Sequence, residues 1–140
     1  MTTIVYDPKT RLLACDSRMC IGTSIGTDKC DKFVERNGVL FVFAGAVSDM
    51  ELLVEMYFNP DMMADHLEVD AIIVDSGTVY ITEFSHKKLV LVPCDFPAAI
   101  GSGMYWALAA LDFGCDVKGA IAYAKKKDSA TGGRVRVFKV

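Results

Sequence analysis

The chain has 140 residues, with 15 Lys and Arg against 18 Asp and Glu, so its formal net charge is −3. Hydrophobic residues make up 52% of the chain, which is enough for a core and excludes a disordered protein. The weak negative charge argues against binding to nucleic acid, and no apolar run reaches the roughly 20 residues of a membrane helix. The length predicts one domain over residues 1–140. Five cysteines without a secretory signal predict free thiols and a cytoplasmic location.

The first half of the chain is rich in β-branched and aromatic residues and predicts strands. Turn signals group these strands into two hairpins, over residues 2–6 with 12–15 and over residues 32–36 with 39–44. The dipeptides Asp7-Pro8 and Asn37-Gly38 supply the turns, and the second is typical of a type I′ hairpin. The strand that follows Gly38 is apolar almost throughout, so it should be buried on both faces.

A helix is predicted from Ser48, where the hydrophobic period changes. Apolar side chains recur at helical spacing at Leu52, Leu53, Met56 and Tyr57. Ser48 is the expected N-cap, with Glu51 three residues later as in a capping box. Asn59-Pro60 ends this helix, and residues 62–67 allow at most one further helical turn.

The second half of the chain predicts further strands around two helices. The strands are expected over residues 71–74, 78–84, 89–92, 98–100 and 134–140, and the helices over about 104–113 and 117–126. Strands, helices and a final strand in this order predict an α+β fold in which sheet packs on sheet.

Thr2 is the first candidate for chemistry. A small residue after Met1 favours removal of the methionine, which would give Thr2 a free α-amine. An N-terminal threonine combines nucleophile and base, because its hydroxyl attacks while its amine, with a pKa of about 7.7–8.0, accepts the proton. Taken alone, however, the opening is more typical of an ordinary edge-strand residue.

Further segments support a catalytic Thr2. Asp16 closes the second predicted strand and Lys32 opens the third, although the two would also suit a plain ion pair. Gly45 ends a buried strand just before a helix, where backbone N–H groups are available to an oxyanion. Ser102 lies between two glycines before one helix, and residues 127–133 follow the next helix.

Together these segments resemble the proteasome β-subunit and HslV peptidases, which are N-terminal nucleophile (Ntn) hydrolases of the threonine-peptidase type. The resemblance runs from Thr2 to the C-terminus, and its most specific parts are Thr2-Thr3-Ile4-Val5, Phe43-Ala44-Gly45, Ile100-Gly101-Ser102-Gly103 and residues 127–133. It implies a four-layer αββα sandwich, with two antiparallel sheets and the helices outside. Between Asp49 and Asp70 the chain is shorter than the family, which has a pair of helices there.

The resemblance also implies roles for the residues around the nucleophile. Thr2 would attack, Lys32 would lower the proton affinity of the Thr2 site, and Asp16 would orient that lysine. The N–H of Gly45 would donate to the oxyanion.

Three residues of the second half complete the set that the resemblance implies. Ser102 and Asp128 would hydrogen-bond around the Thr2 amine. Thr131 replaces a serine that is usual in proteasome-like sequences, and it keeps the hydroxyl group.

The function implied is that of a threonine-type endopeptidase, which needs no metal or cofactor and acts on peptides or unfolded proteins. The same resemblance implies a homo-oligomeric ring and suggests an ATP-dependent unfoldase as partner. Two alternatives stay open: a catalytically silent assembly protein, consistent with the shortened 49–70 region, and an amidase that acts on a small amide. Cys15, Cys20 and Cys30 lack the spacing of a zinc site and are expected to be ordinary thiols.

Overall fold

The computed structural model describes residues 2–140. This range contains three α-helices, α1 (Met50–Phe58), α2 (Met104–Asp112) and α3 (Val117–Lys127). The strands are β1 (Thr3–Asp7), β2 (Leu12–Cys15), β3 (Met19–Ile21), β4 (Ser24–Thr27), β5 (Phe33–Arg36), β6 (Val39–Gly45), β7 (Val69–Asp75), β8 (Thr78–Ser85), β9 (Lys88–Pro93), β10 (Ala98–Gly101) and β11 (Arg136–Lys139). None of the helices in the described range is both long and apolar enough to span a bilayer.

The strands form antiparallel sheets, as expected for an α+β fold. One sheet has the order β10-β1-β2-β11, and the other runs β5-β6-β7-β8-β9 in chain order. Strands β3 and β4 form a separate hairpin. In the first sheet Thr3 pairs with Gly101, so the carboxyl end of β10 lies beside the start of β1. Because Ser102 follows this end directly, the register brings it close to Thr2.

The core consists of three apolar clusters whose members follow strand alternation. Ile4 of β1 packs in a cluster with Val42 of β6 and other residues of both large sheets. Val5, on the opposite face of β1, packs with α2 and α3, which line this face with small residues such as Ala107 and Ala120. A third cluster joins α1 to β6 and β7.

Two local features differ from the sequence predictions. The hairpin β3–β4 was not predicted, because its strands are short and lack the long apolar runs of the other strands; the positive φ of Gly22 (+60°) forms its turn. Ser48 is not the N-cap of α1, since it lies in a short 3₁₀ turn and Asp49 holds the cap position. Residues 62–67 form no helix, which agrees with the prediction of at most one further helical turn, and an irregular segment follows α1 up to β7.

Candidate active site

Asp16 and Lys32 form a buried ion pair beside the start of β1. Lys32 Nζ lies 3.0 Å from Asp16 Oδ1, and the two side chains are 4% and 0% exposed. Asp16 directly follows β2, and Lys32 directly precedes β5, where its carbonyl accepts a hydrogen bond of 2.8 Å from Phe43 N–H. Because burial removes the hydration of both charges, the pair needs further hydrogen bonds from the protein.

Backbone N–H groups provide these bonds to the Asp16 carboxylate. Thr3 N–H donates to Oδ1 at 3.1 Å, while the Gly132 and Arg18 N–H groups donate to Oδ2 at 2.9 and 3.3 Å. Together with Lys32 Nζ, they give each carboxylate oxygen two donors. Both oxygens therefore act as acceptors, which fixes the orientation of the carboxylate and of the lysine bound to it.

A cavity of about 230 Å³ lies beside this pair and is bordered by Thr2, Lys32 and Gly45. The rest of its wall consists of Arg18, Met19, Cys20, Ala46, Val47 and Met50. The cavity is smaller than the roughly 300–1,000 Å³ of sites for drug-sized ligands, and it suits a single amino-acid side chain. Three of the seven predicted site residues thus meet at one concave surface.

The remaining predicted residues form a second cluster around Asp128. The hydroxyls of Ser102 and Thr131 donate to Asp128 Oδ2 at 2.5 and 2.6 Å, and Ala130 N–H donates to Oδ1 at 3.1 Å. Burial raises the pKa of Asp128, but hydrogen bonds from Ser102, Thr131 and Ala130 outweigh burial and lower this pKa below the ordinary value. Asp128 is therefore ionised at neutral pH.

The loop of residues 128–133, which follows α3, connects the two clusters. Gly132 donates to Asp16, and its own carbonyl accepts from Ser17 N–H at 2.9 Å. In the same loop, Thr131 Oγ1 lies 2.6 Å from Thr3 Oγ1. Both carboxylates are thereby connected to Thr3, the residue directly after Thr2.

Arg18 is a cavity residue that the sequence interpretation did not single out. Its guanidinium donates to both carboxylate oxygens of Asp28, at 2.7 and 3.1 Å, and to the Ser129 carbonyl at 2.9 Å. The hydrogen bond from Arg18 holds the pKa of Asp28 below its usual range. The side chain ties the cavity wall to loop 128–133. Only the tertiary contact between residues 18 and 129 identifies it, so the sequence offered no specific signal.

Gly101 allows β10 to approach the Thr2 backbone. Its φ is +97°, and a Cβ atom there would lie 1.7 Å from the Thr2 carbonyl oxygen. We expect Gly101→Ala to displace Thr2 and to lower the midpoint of thermal unfolding by several degrees, because such strain costs more than about 1 kcal/mol. Gly114→Ala is the matched control, since Gly114 has a φ of +100° and a Cβ atom there would meet no other atom within 4 Å. Equal losses in the two variants would contradict a specific contact with Thr2.

Cysteine and histidine side chains are further candidates for chemistry among the described residues, and Cys15, His66 and His86 lie outside the Asp16–Lys32 pair and the Asp128 cluster. Burial raises the pKa of the Cys15 thiol to about 12, so this cysteine is a neutral core residue near pH 7. His66 and His86 are both exposed. Within residues 2–140, no group of three or more His, Cys, Asp or Glu side chains is placed to hold a metal ion.

Comparisons with known proteins identify the fold. No protein-family model and no curated protein matches the sequence. Among solved structures, HslV from Trypanosoma brucei matches with a TM-score of 0.78 and 20% identity over 98% of each chain. BPH from Thiobacillus denitrificans, alone and in complex with epoxomicin, matches with TM-scores of 0.73 and 0.72 at 15% identity, over 99% of this chain and 96% and 97% of those chains. The chain therefore has the fold of HslV and BPH, and the resemblance read from the sequence is confirmed at the level of the fold.

Proposed function

We propose that the chain is a threonine-type endopeptidase whose nucleophile is Thr2, exposed by removal of Met1. The main observation behind the proposal is that Thr2, Gly45 and the paired Lys32 border one cavity. The fold shared with HslV, and with a BPH structure solved in complex with epoxomicin, supports the same activity. Met1 lies outside the described residues, so its removal is part of the proposal.

The first half of the reaction forms an ester on Thr2. The Thr2 hydroxyl oxygen bonds to the peptide carbonyl carbon, and its proton passes to the Thr2 α-amine. The positive charge of Lys32 favours the loss of this proton, and the N–H of Gly45 donates to the oxyanion that develops on the carbonyl oxygen. When the tetrahedral adduct collapses, the C–N bond breaks and the ammonium gives its proton to the leaving nitrogen.

The second half releases the acyl group. The Thr2 amine, again neutral, removes a proton from water as the water oxygen attacks the ester carbon. Cleavage of the ester C–O bond returns a proton to the Thr2 oxygen and frees a carboxylic acid. In this scheme Ser102 and Asp128 orient the amine, and Thr131 holds Asp128 in place.

The proposal extends to architecture, assembly and location. We infer a four-layer αββα arrangement, supported by one apolar cluster shared by the two large sheets and by separate clusters that involve the helices. A homo-oligomeric ring, an ATP-dependent unfoldase as partner and a cytoplasmic location remain predictions. The single α1 between β6 and β7 agrees with the shortened region between Asp49 and Asp70.

Intact mass spectrometry before and after incubation with a peptide epoxyketone tests the proposal. This reagent needs both the hydroxyl and the free amine of an N-terminal threonine. We expect a mass that lacks Met1 and then gains one inhibitor molecule. A mass that retains Met1 and gains no inhibitor would favour the catalytically silent assembly protein instead. Hydrolysis of small amides but not of peptides by the inhibitor-free protein, lost once the inhibitor is bound, would favour the amidase.

A further inference from the structure

A directed chain of hydroxyl groups runs from Thr3 to Asp128. Thr131 Oγ1 lies 2.6 Å from Asp128 Oδ2 and 2.6 Å from Thr3 Oγ1. A hydroxyl has one proton to donate, and an ionised carboxylate only accepts. Because Thr131 donates its proton to Asp128, the Thr3 hydroxyl must be the donor to Thr131. The direction of both hydrogen bonds is thus fixed by chemistry.

The backbone of Thr3 is bound to the other carboxylate of the site. Its N–H donates to Asp16 Oδ1, the same oxygen that Lys32 Nζ contacts. Thr3 is 0% exposed, and its neighbour Thr2 is 3% exposed. One residue therefore contacts the Asp16–Lys32 pair through its backbone and the Asp128 cluster through its side chain.

We propose that Thr3 is a positioning residue, which sets the place of Thr2 between the two clusters and orients Thr131 and Asp128 through its hydroxyl. This inference rests on the proposed function, in which Asp128 acts near the Thr2 amine. A valine at position 3 would have nearly the same shape but no proton to donate. It would leave Thr131 Oγ1 without its buried donor and would make the Thr131 hydroxyl a weaker donor to Asp128.

The direction of the expected pKa shift of Asp128 follows from the lost hydrogen bond, because the charged groups around the hydroxyl chain stay the same. The Asp16–Lys32 pair lies across Thr3, and the Arg18–Asp28 pair contacts loop 128–133 at Ser129. Lys127, the residue before Asp128, extends its Nζ over the ring of Trp106 at 5.9 Å. The α-amine of Thr2, which the proposed function places at Asp128, is a further positive charge. None of these groups changes in Thr3→Val. The loss of one donor should therefore raise the pKa of Asp128.

The experiment compares kcat and KM of Thr3→Val and Thr3→Ser with those of the wild type on a fluorogenic peptide. We expect Thr3→Val to lower kcat by about tenfold, the rate equivalent of one buried hydrogen bond, with KM changed less than about twofold. Thr3→Ser keeps a hydroxyl donor and should restore kcat to the wild-type value. If Thr3→Val does not fold, Thr3→Cys replaces it, since a thiol is a weak donor and should give an intermediate effect.

Thr82→Val is the matched control for the loss of a buried hydroxyl elsewhere. Thr82 is 4% exposed, and its hydroxyl bonds only to the Ala71 backbone in the described contacts, at 2.8 and 3.3 Å. This variant should lose thermal stability and keep the kcat and KM of the wild type. Wild-type kinetics in Thr3→Val, or the same kcat in Thr3→Val and Thr3→Ser, would overturn the inference.

A second readout separates this inference from the proposed function. Carbon-13 NMR of labelled aspartate carboxyls, with Asp128→Asn for assignment, follows the titration of Asp128 without any turnover. The pKa of Asp128 should be higher in Thr3→Val than in Thr3→Ser. An equal pKa would contradict the hydroxyl chain. An inactive wild type that lacks Met1 would contradict the proposed function alone.

Discussion

Thr2→Ala is expected to lose peptide hydrolysis by on the order of 10³-fold or more, as removal of a nucleophile does in other covalent hydrolases. The variant would keep Lys32, Gly45 and the cavity but would have no hydroxyl to attack the carbonyl carbon. The measurement is kcat/KM for a fluorogenic peptide, together with the epoxyketone adduct by intact mass. Thr2→Ala that still cleaves peptides at the wild-type rate would show that the nucleophile lies elsewhere.

Two further variants sharpen this test. Thr2→Ser keeps the hydroxyl and the amine, so it should retain measurable activity and form the inhibitor adduct. Cys20 also borders the cavity, and its thiol is a second nucleophile in the described part of the wall. Cys20→Ala should therefore keep most of the activity, because its thiol has no part in the proposed steps. Loss of labelling in Cys20→Ala with labelling kept in Thr2→Ala would assign the reaction to the cysteine.

Much of the fold could be predicted because its strongest signals are local. The apolar run of β6 gave a strand with Phe41, Val42 and Phe43 fully buried, and Asn37 has the positive φ (+53°) expected of a type I′ turn. The end of α1 at Phe58, just before Asn59-Pro60, was predicted for the same reason. In each case one short segment contains the whole signal.

Predictions were weaker where tertiary contacts decide the structure. Asp49, not Ser48, holds the N-cap position of α1. Its carboxylate makes no capping bond and accepts instead from Glu68 N–H at 2.8 Å. That bond joins residues 19 positions apart, so the local capping pattern at Ser48 could not reveal it. The hairpin β3–β4 has exposed apolar residues, such as Ile21 and Ile25, and therefore lacks the alternation of a half-buried strand.

The residues of the candidate site also fall into two groups, those that the sequence indicates and those that only tertiary contacts reveal. Its residue types were found by resemblance, and the ion pair Asp16–Lys32 was foreseen because a buried lysine needs a carboxylate. The contact between Thr3 and Thr131 spans 128 positions and has no sequence pattern of its own. A threonine in a strand is ordinary by propensity, so only the fold shows that its hydroxyl is bound to the Asp128 cluster.

Asp16→Asn should be among the most destabilising single substitutions in the chain, with a loss of about 3–5 kcal/mol in unfolding free energy. The amide has only one acceptor oxygen, whereas both Asp16 oxygens accept two hydrogen bonds. Its NH₂ group must therefore face N–H donors, either those of Thr3 and Lys32 or those of Gly132 and Arg18. The change would also remove the negative charge that the buried Lys32 contacts at position 16.

Urea unfolding of Asp16→Asn, Lys32→Met and the double variant measures this effect. Lys32→Met should also cost stability, and the double variant should lose less than the sum of the two single variants, because each single change leaves a buried charge. Asp65→Asn is the matched control, since Asp65 pairs with Lys87 at the same 3.0 Å distance while the two side chains are 79% and 60% exposed. That surface change should cost about 0–1 kcal/mol. Strict additivity of Asp16→Asn and Lys32→Met would contradict a coupled pair.

The same variants separate stability from catalysis. Under conditions where each protein is folded, Lys32→Met should lower kcat/KM by about 10²-fold or more, because the Thr2 hydroxyl would lose the nearby positive charge that favours its deprotonation. Asp16→Asn should lower it as well, since the lysine would no longer be held at the cavity. If Lys32→Met were folded, stable and fully active, the Asp16–Lys32 pair would have a structural role only. Deprotonation of the Thr2 hydroxyl would then depend on the second cluster, around Asp128.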